Sequence, residues 1–200
     1  MKLYEDPTSG NCYKVKLLLS HLGRPFSTER IDVTSREDRR PLFPKGAPST
    51  RVPLLVLDDG RMLSESNAIL LFLARGTSFL PEDPFEQAGV HRWMFFEQNH
   101  LEPNIAVARF IVHVIGKADR FPEVVPFLQK RGAETLERME AQLAQTPVIC
   151  GDRYTVADIA LFGYGHIAGE SGIPTNGYPR LAEWVERVRA QPGFVPMFPE

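Results

Sequence analysis

The sequence predicts two structural classes in tandem, an α/β domain of order βαβαββα followed by an all-α domain. Three observations carry that prediction. Short apolar runs alternate with segments of helical period up to residue 77. An Asp59-Gly60 pair stands between two of the short runs, where a hairpin turn belongs. Beyond a stretch broken by Pro81 and Pro84, every periodic segment has helical spacing. The expected boundaries are therefore 1–77 for the α/β domain, 78–85 for a linker and 86–200 for the helical domain. A chain of 200 residues and 22.6 kDa is long enough to bury two such cores.

Taken in order, Leu3 and Tyr4 open a short strand that stops at the turn pair Asp6-Pro7. A helix from about Asn11 to Leu22 follows, with Cys12, Val15, Leu18, Leu19 and Leu22 on its apolar stripe and Gly23 as its stop. Phe26 to Val33 carries enough apolar residues for a second strand. The stretch Thr34 to Ser49 is polar and broken by Pro41, Pro44 and Pro48, so it holds at most a short irregular helix. Val52 to Leu57 reads as a buried strand, Asp59-Gly60 as a two-residue turn, and Arg61-Met62-Leu63 as the strand that pairs back. A helix from Glu65 or Ser66 to about Arg75 carries the apolar residues Ile69, Leu70, Phe72 and Leu73, and Gly76 closes it.

In the second half, Glu86 to about Ile115 forms one long helix, bent where Pro103 removes a backbone donor. Phe127 to Leu143 is amphipathic, with Leu128, Leu136, Met139 and Leu143 on one face. Thr155, followed three residues later by Asp158, marks a capped helix start, and Tyr154 can pack on Ile159 as a staple. Pro179 opens a last amphipathic helix through Leu181, Trp184 and Val188. Gln191 to Glu200 reads as a proline-broken tail.

Composition bounds the function. With 43% hydrophobic and 24% charged residues the chain is neither disordered nor membrane-spanning. Its 23 Lys and Arg against 25 Asp and Glu form no single-sign block, which points away from nucleic-acid and acidic-membrane partners. Two cysteines, Cys12 and Cys150, make no disulfide framework, and the start Met1 to Pro7 has no apolar stretch suited to a signal peptide, so a cytoplasmic location is expected. No His, Cys or carboxylate spacing suggests a metal.

Three segments carry chemistry. A proline at the first residue of the third strand cannot donate to the ladder, and a cis Val52-Pro53 bond would turn the backbone of Arg51 and Val52 toward an extended peptide. At Ser64-Glu65-Ser66-Asn67, a helix start offers free N–H groups and a positive dipole end. A carboxylate can dock on the Ser66 N–H and hydroxyl while Glu65 pairs with an ammonium, which together suit the head of one α-amino acid. Simple capping accounts for the same residue types. At Thr8-Ser9-Gly10-Asn11-Cys12, a hydroxyl or amide before a helix start can donate to an incoming thiolate. Moving a thiol from a pKa near 8.5 to about 6.5 takes roughly 2.7 kcal/mol of preference for the anion, within reach of one charge-assisted hydrogen bond helped by the dipole.

In this order the segments Ser9-Gly10-Asn11-Cys12-Tyr13-Lys14-Val15, Arg51-Val52-Pro53-Leu54-Leu55, Glu65-Ser66-Asn67-Ala68-Ile69 and Gly151 to Asp158 resemble the cytosolic glutathione S-transferase superfamily. The active-site segment is similar to theta-like, zeta-like and bacterial asparagine-using members. The resemblance implies a thioredoxin-like N-terminal domain, a C-terminal helical bundle, and glutathione as co-substrate with no metal. It implies a cis Pro53, Arg51 and Val52 on the cysteinyl and glycyl parts, Glu65 and Ser66 on the γ-glutamyl end, and a homodimer packed through the third and fourth helices.

The same resemblance leaves the activating group open. Ser9 holds the position of the catalytic serine in theta-like and zeta-like members. Asn11 falls where some bacterial disulfide-reductase-like members use asparagine. Some members use a cysteine at Cys12, yet Cys12 continues the apolar stripe to Val15 and Leu19, the pattern of a core residue. Tyr4 matches neither pattern and reads as packing. Where members commonly read Asn-Pro-x-Gly, this chain reads Phe43 to Arg51 with more prolines, so the contacts to the glycine carboxylate pass to Lys45 or Arg40 or to neither. An electrophile pocket between the domains would be lined by Asn104, Arg109, Phe110 and His113, with His166 near it. The expected activity is conjugation of the glutathione thiolate to hydrophobic electrophiles, with a detoxifying role. The alternatives are a glutathione-dependent disulfide or peroxide reductase, a zeta-like isomerase, or a transferase-fold binding or regulatory protein without turnover.

Overall fold

The computed structural model describes residues 1–35 and 38–198, so the parts of the readings above that fall on residues 36, 37, 199 and 200 lie outside the described residues. The chain divides into two compact units, Met1–Arg75 together with the tail from Pro192, and Gly76–Gln191.

In the first unit four strands, β1 (Lys2–Glu5), β2 (Ser27–Arg30), β3 (Leu54–Val56) and β4 (Met62–Ser64), form one sheet in the order β2-β1-β3-β4. β1 and β2 are parallel, and the other two pairs are antiparallel. Two helices, α1 (Gly10–His21) and α2 (Ser66–Ala74), pack on each other and bury Val15, Leu17, Leu18, Leu19, Ile69, Leu70 and Leu73. Between β2 and β3 the only regular turn among the described residues is a 3-10 turn at Arg40–Leu42, in keeping with the prolines there. That segment is nevertheless structural: Phe43 is buried with Ile31 and Leu54 and stacks on Tyr4 at a ring separation of 5.8 Å. Tyr4 is thus a packing residue.

The hairpin differs from expectation in one detail. The Leu57 N–H donates to the Arg61 carbonyl at 2.9 Å and the Gly60 N–H to the Leu57 carbonyl at 3.0 Å, leaving three loop residues rather than two. Gly60, at φ 84°, takes the left-handed position that such a loop requires.

The second unit is helical. α3 (Pro84–Phe96) starts on an Asp83 cap and continues through wide π-type turns at Glu97–Ala106 and Phe110–Val114, on either side of the single α turn α4 (Val107–Arg109). Pro103 sits in the first wide stretch, where its missing N–H loosens the ladder. α5 (Val124–Leu143) begins three residues before the predicted start, because Pro126 falls in the first turn, where no N–H is needed. α6 (Val156–Gly165) is capped by the predicted Thr155–Asp158 box and is buried along its whole length. The Tyr154 ring meets Phe79 edge-on at 6.0 Å. α7 (Pro179–Arg189) buries Leu181, Trp184 and Val188.

The tail departs from the sequence reading, which assigned it to the helical domain. From Pro192 it rejoins the first unit: the Tyr13 hydroxyl donates to the Val195 carbonyl at 2.7 Å, and His21 Nδ1 meets the Pro192 carbonyl at 2.7 Å. Gly193, at φ 76°, lets the chain lie against Ser20 and His21 of α1, where a Cβ would stand 3.0 Å from the Ser20 carbonyl oxygen.

Candidate functional site

The strand register gathers three of the sequence segments at one end of the sheet. Tyr4 near the end of β1 pairs with Leu54 at the start of β3, and Leu54 pairs with Ser64 at the end of β4. The turn into α1, the Val52-Pro53 bond and the start of α2 therefore lie side by side. The Val52-Pro53 bond is cis.

The turn into α1 is held by Asp6, which is buried. Its carboxylate accepts from the Thr8 N–H at 2.7 Å, the Thr8 hydroxyl at 2.6 Å and the Val33 N–H at 3.0 Å. Its carbonyl accepts from the Ser9 N–H at 3.0 Å. Ser9 caps α1: its Oγ accepts from the Cys12 N–H at 3.3 Å, which leaves the hydroxyl proton to donate elsewhere. Cys12 itself is fully buried. Burial pushes its thiol up to about 12, against the pull of the Ser9 hydrogen bond, so at neutral pH it is a core thiol rather than a nucleophile.

Asn11 links the two helix starts. Its Oδ1 accepts from Lys14 Nζ at 2.8 Å and from the Ser66 hydroxyl at 3.2 Å, and Lys14 Nζ also donates to Ser66 Oγ at 3.5 Å. Lys14 is 0% exposed. Sequence reasoning assigned Lys14 no role; the available signal was a lysine on the apolar face of a helix, one turn after a polar residue at the helix start. Asp6 was also missed as the residue that shapes the turn.

At the start of α2, Glu65 is exposed and holds φ 68°, a left-handed conformation costly for a side-chain-bearing residue. It precedes the first backbone N–H groups of α2, which have no partner within the helix. Ser66 is buried, and its hydroxyl is already engaged with Asn11 and Lys14, so a docking carboxylate would rely on its N–H more than on its hydroxyl. Arg51 is exposed, with its N–H on Ser49 Oγ at 3.0 Å, and Val52 is half-buried. Arg40 is paired with Asp38 at 2.9 Å, while Lys45 is exposed.

Four predicted electrophile residues fall in the second unit. Asn104 and Arg109 are buried and committed there, Asn104 Nδ2 to the His100 carbonyl at 2.6 Å and Arg109 Nε to Glu170 at 2.6 Å. Phe110 is half-buried, and His113 is exposed with Nε2 3.4 Å from the same Glu170 oxygen. His166 stacks on Phe162 and gives its Nδ1–H to the Phe162 carbonyl; burial pulls its pKa down to about 4, so it is a neutral structural residue. Among the described residues no group of three or more His, Cys, Asp or Glu is placed to hold a metal ion, and no helix is long and apolar enough to cross a membrane.

Comparison with known proteins shows the family. Residues 8–75 match the family model of the glutathione S-transferase N-terminal domain, and residues 119–187 that of the C-terminal domain. The chain is similar to the solved glutathione S-transferase of Pseudomonas fluorescens, with 44% identity, a TM-score of 0.94, and 99% of this chain and 98% of that one covered. It is 28% identical to a disulfide-bond oxidoreductase of Escherichia coli over 95% of this chain and 90% of the relative. It is 29% identical to glutathione S-transferase 3 of Zea mays over 97% and 91%.

Proposed function

The chain belongs to the glutathione S-transferase superfamily, and from that premise we propose that its first unit binds glutathione and delivers the thiolate to a hydrophobic electrophile. The observation that carries this reading is the convergence of three backbone junctions at one sheet end, with two neutral donors, Ser9 and Asn11, at the first of them. Glu65 and the Ser66 N–H receive the ammonium and carboxylate of the γ-glutamyl end. Val52 and Arg51, beside Pro53, offer backbone to the cysteinyl and glycyl parts. The start of α1 brings the positive end of its dipole to the sulfur, and Ser9 or Asn11 donates a hydrogen bond to the anion.

The thiol proton leaves to solvent, the sulfur electron pair forms a bond to the electrophilic carbon, and a leaving group such as chloride departs with its own pair. The protein supplies position and anion stabilisation. Phe110 and His113 are the side chains we assign to the electrophile, carried on a helix that the buried Asn104 and Arg109 hold in place. We also assign the protein a homodimer through α2 and α3, the third and fourth helices of the sequence order, on which Phe72 and Phe95 are 43% and 67% exposed. A cytoplasmic, detoxifying role follows from the same reading.

A second reading, reduction of disulfides with glutathione, is favoured by Asn11 at the helix start and by the name of the Escherichia coli relative. Calorimetry with reduced and oxidised glutathione, followed by turnover of a chlorinated nitroarene and of a mixed glutathione disulfide, separates the two. Heat with turnover of the nitroarene supports conjugation, and turnover of the disulfide alone supports reduction. Binding with neither turnover makes the chain a transferase-fold binding protein, and the absence of heat rejects the glutathione reading.

A further inference from the structure

Lysine is rarely found without solvent contact, and Lys14 has none. Leucines at 17, 18 and 19 and Val15 fill the same helix, so an apolar residue would suit the packing there. Of its hydrogen bonds to Asn11 and Ser66, the shorter holds Asn11. An ammonium only donates hydrogen bonds, so the Asn11 atom 2.8 Å from Nζ must be the carbonyl oxygen Oδ1. The Ser66 hydroxyl, 3.2 Å from the same oxygen, holds it from the α2 side. With Oδ1 fixed by two donors from two helices, the amide NH2 can only face away from Lys14. Near the helix start, Asp6 accepts from Thr8 and Val33, and Glu5 pairs with Lys16 at 3.3 Å. Glu65 stands exposed at the start of α2.

We propose that Lys14 is a positioning residue for thiol activation: it locks the Asn11 amide in the one orientation that donates N–H to the sulfur, while Ser66 keeps that lock aligned with the γ-glutamyl site. The inference rests on the reading that glutathione binds with its sulfur at the start of α1. It makes Asn11 the amide donor by construction and gives Lys14 a role exerted through Asn11 rather than through contact with the ligand.

The test follows thiolate absorbance of bound reduced glutathione against pH, with S-methylglutathione, a thioether with no thiol to ionise, as a probe of binding alone. Lys14→Met, which keeps the length and removes the donor, should raise the midpoint by about one pH unit. Its affinity for S-methylglutathione should change by less than about threefold. Lys14→Gln, an uncharged donor, should recover most of the shift, and Lys14→Met should add nothing in an Asn11→Ala background. An unchanged midpoint in Lys14→Met, the same shift with and without Asn11, or no recovery by Lys14→Gln would overturn the proposal. If the unsubstituted protein binds no glutathione, the functional reading fails, which is a separate result. Should Lys14→Met not fold, the side-chain amide of Asn11 in the unsubstituted protein decides, identified in a 15N-asparagine spectrum by its loss in Asn11→Ala: its NH2 pair must move when reduced glutathione binds, and a fixed pair rejects the proposal.

Discussion

Burial lifts the Cys12 thiol to about 12 and the Cys150 thiol to about 12, in both cases because an apolar surround penalises the anion more than nearby donors favour it. A helix start alone would depress a thiol, so the two influences compete at Cys12 and desolvation wins. In the folded protein at pH 8 neither cysteine should be alkylated by iodoacetamide, whereas both should react once the chain is unfolded in guanidinium. Rapid labelling of Cys12 in the native state, read by mass spectrometry, would return it to the list of nucleophiles. The apolar stripe Cys12, Val15, Leu19 made that core role legible in the sequence. Lys14 was only partly legible: Asn11, its nearer partner, stands three positions away on the same helix, but Ser66, which completes the contact, is 52 positions away and no local pattern reports it.

Helix starts were the most legible elements, because the groups that specify them are close in sequence. The Thr155–Asp158 box is an example, and the structure adds a layer to it. Asp158 is fully buried and accepts from the Thr155 N–H at 3.0 Å, the Ile149 N–H at 2.9 Å and Trp184 Nε1 at 3.0 Å. One carboxylate thereby ties the start of α6 to the preceding loop and to α7. Thr155→Ala removes one cap acceptor and should cost about 1 kcal/mol. Asp158→Ala strands three buried donors and should cost on the order of 4 kcal/mol. Urea midpoints measure both, and equal losses would mean that the bonds beyond the cap contribute nothing. Less legible were the three-residue loop at Asp58–Gly60 and the early start of α5, since a one-residue change of register or a proline in the first turn leaves the hydrophobic pattern unaltered.

Stability of the molecule as a whole should depend on acid through His166. Its pKa is about 4 in the folded protein against an ordinary value of 6.5, with burial the largest cause; Arg189 and Arg109 act in the same direction, and the Phe162 carbonyl and Glu170 against it. The neutral ring is what the fold accommodates, so the unfolded chain binds more protons between these values. The contribution is complete above pH 6.5 and is lost as pH falls toward 4, amounting to roughly 3 kcal/mol. Melting curves across that range should show the decline, and His166→Phe, which keeps the stack on Phe162, should flatten it; a parallel decline in both proteins would assign the acid sensitivity elsewhere.

The returning tail has a consequence for how the polypeptide comes to be made. Pro192 and Val195 complete the surround of α1, but the ribosome delivers them only after the entire helical unit has emerged. The sheet-containing unit thus waits, unfinished, while its neighbour is synthesised. Until then the flank of α1 at Tyr13 and His21 lacks the two tail carbonyls that meet it in the finished fold.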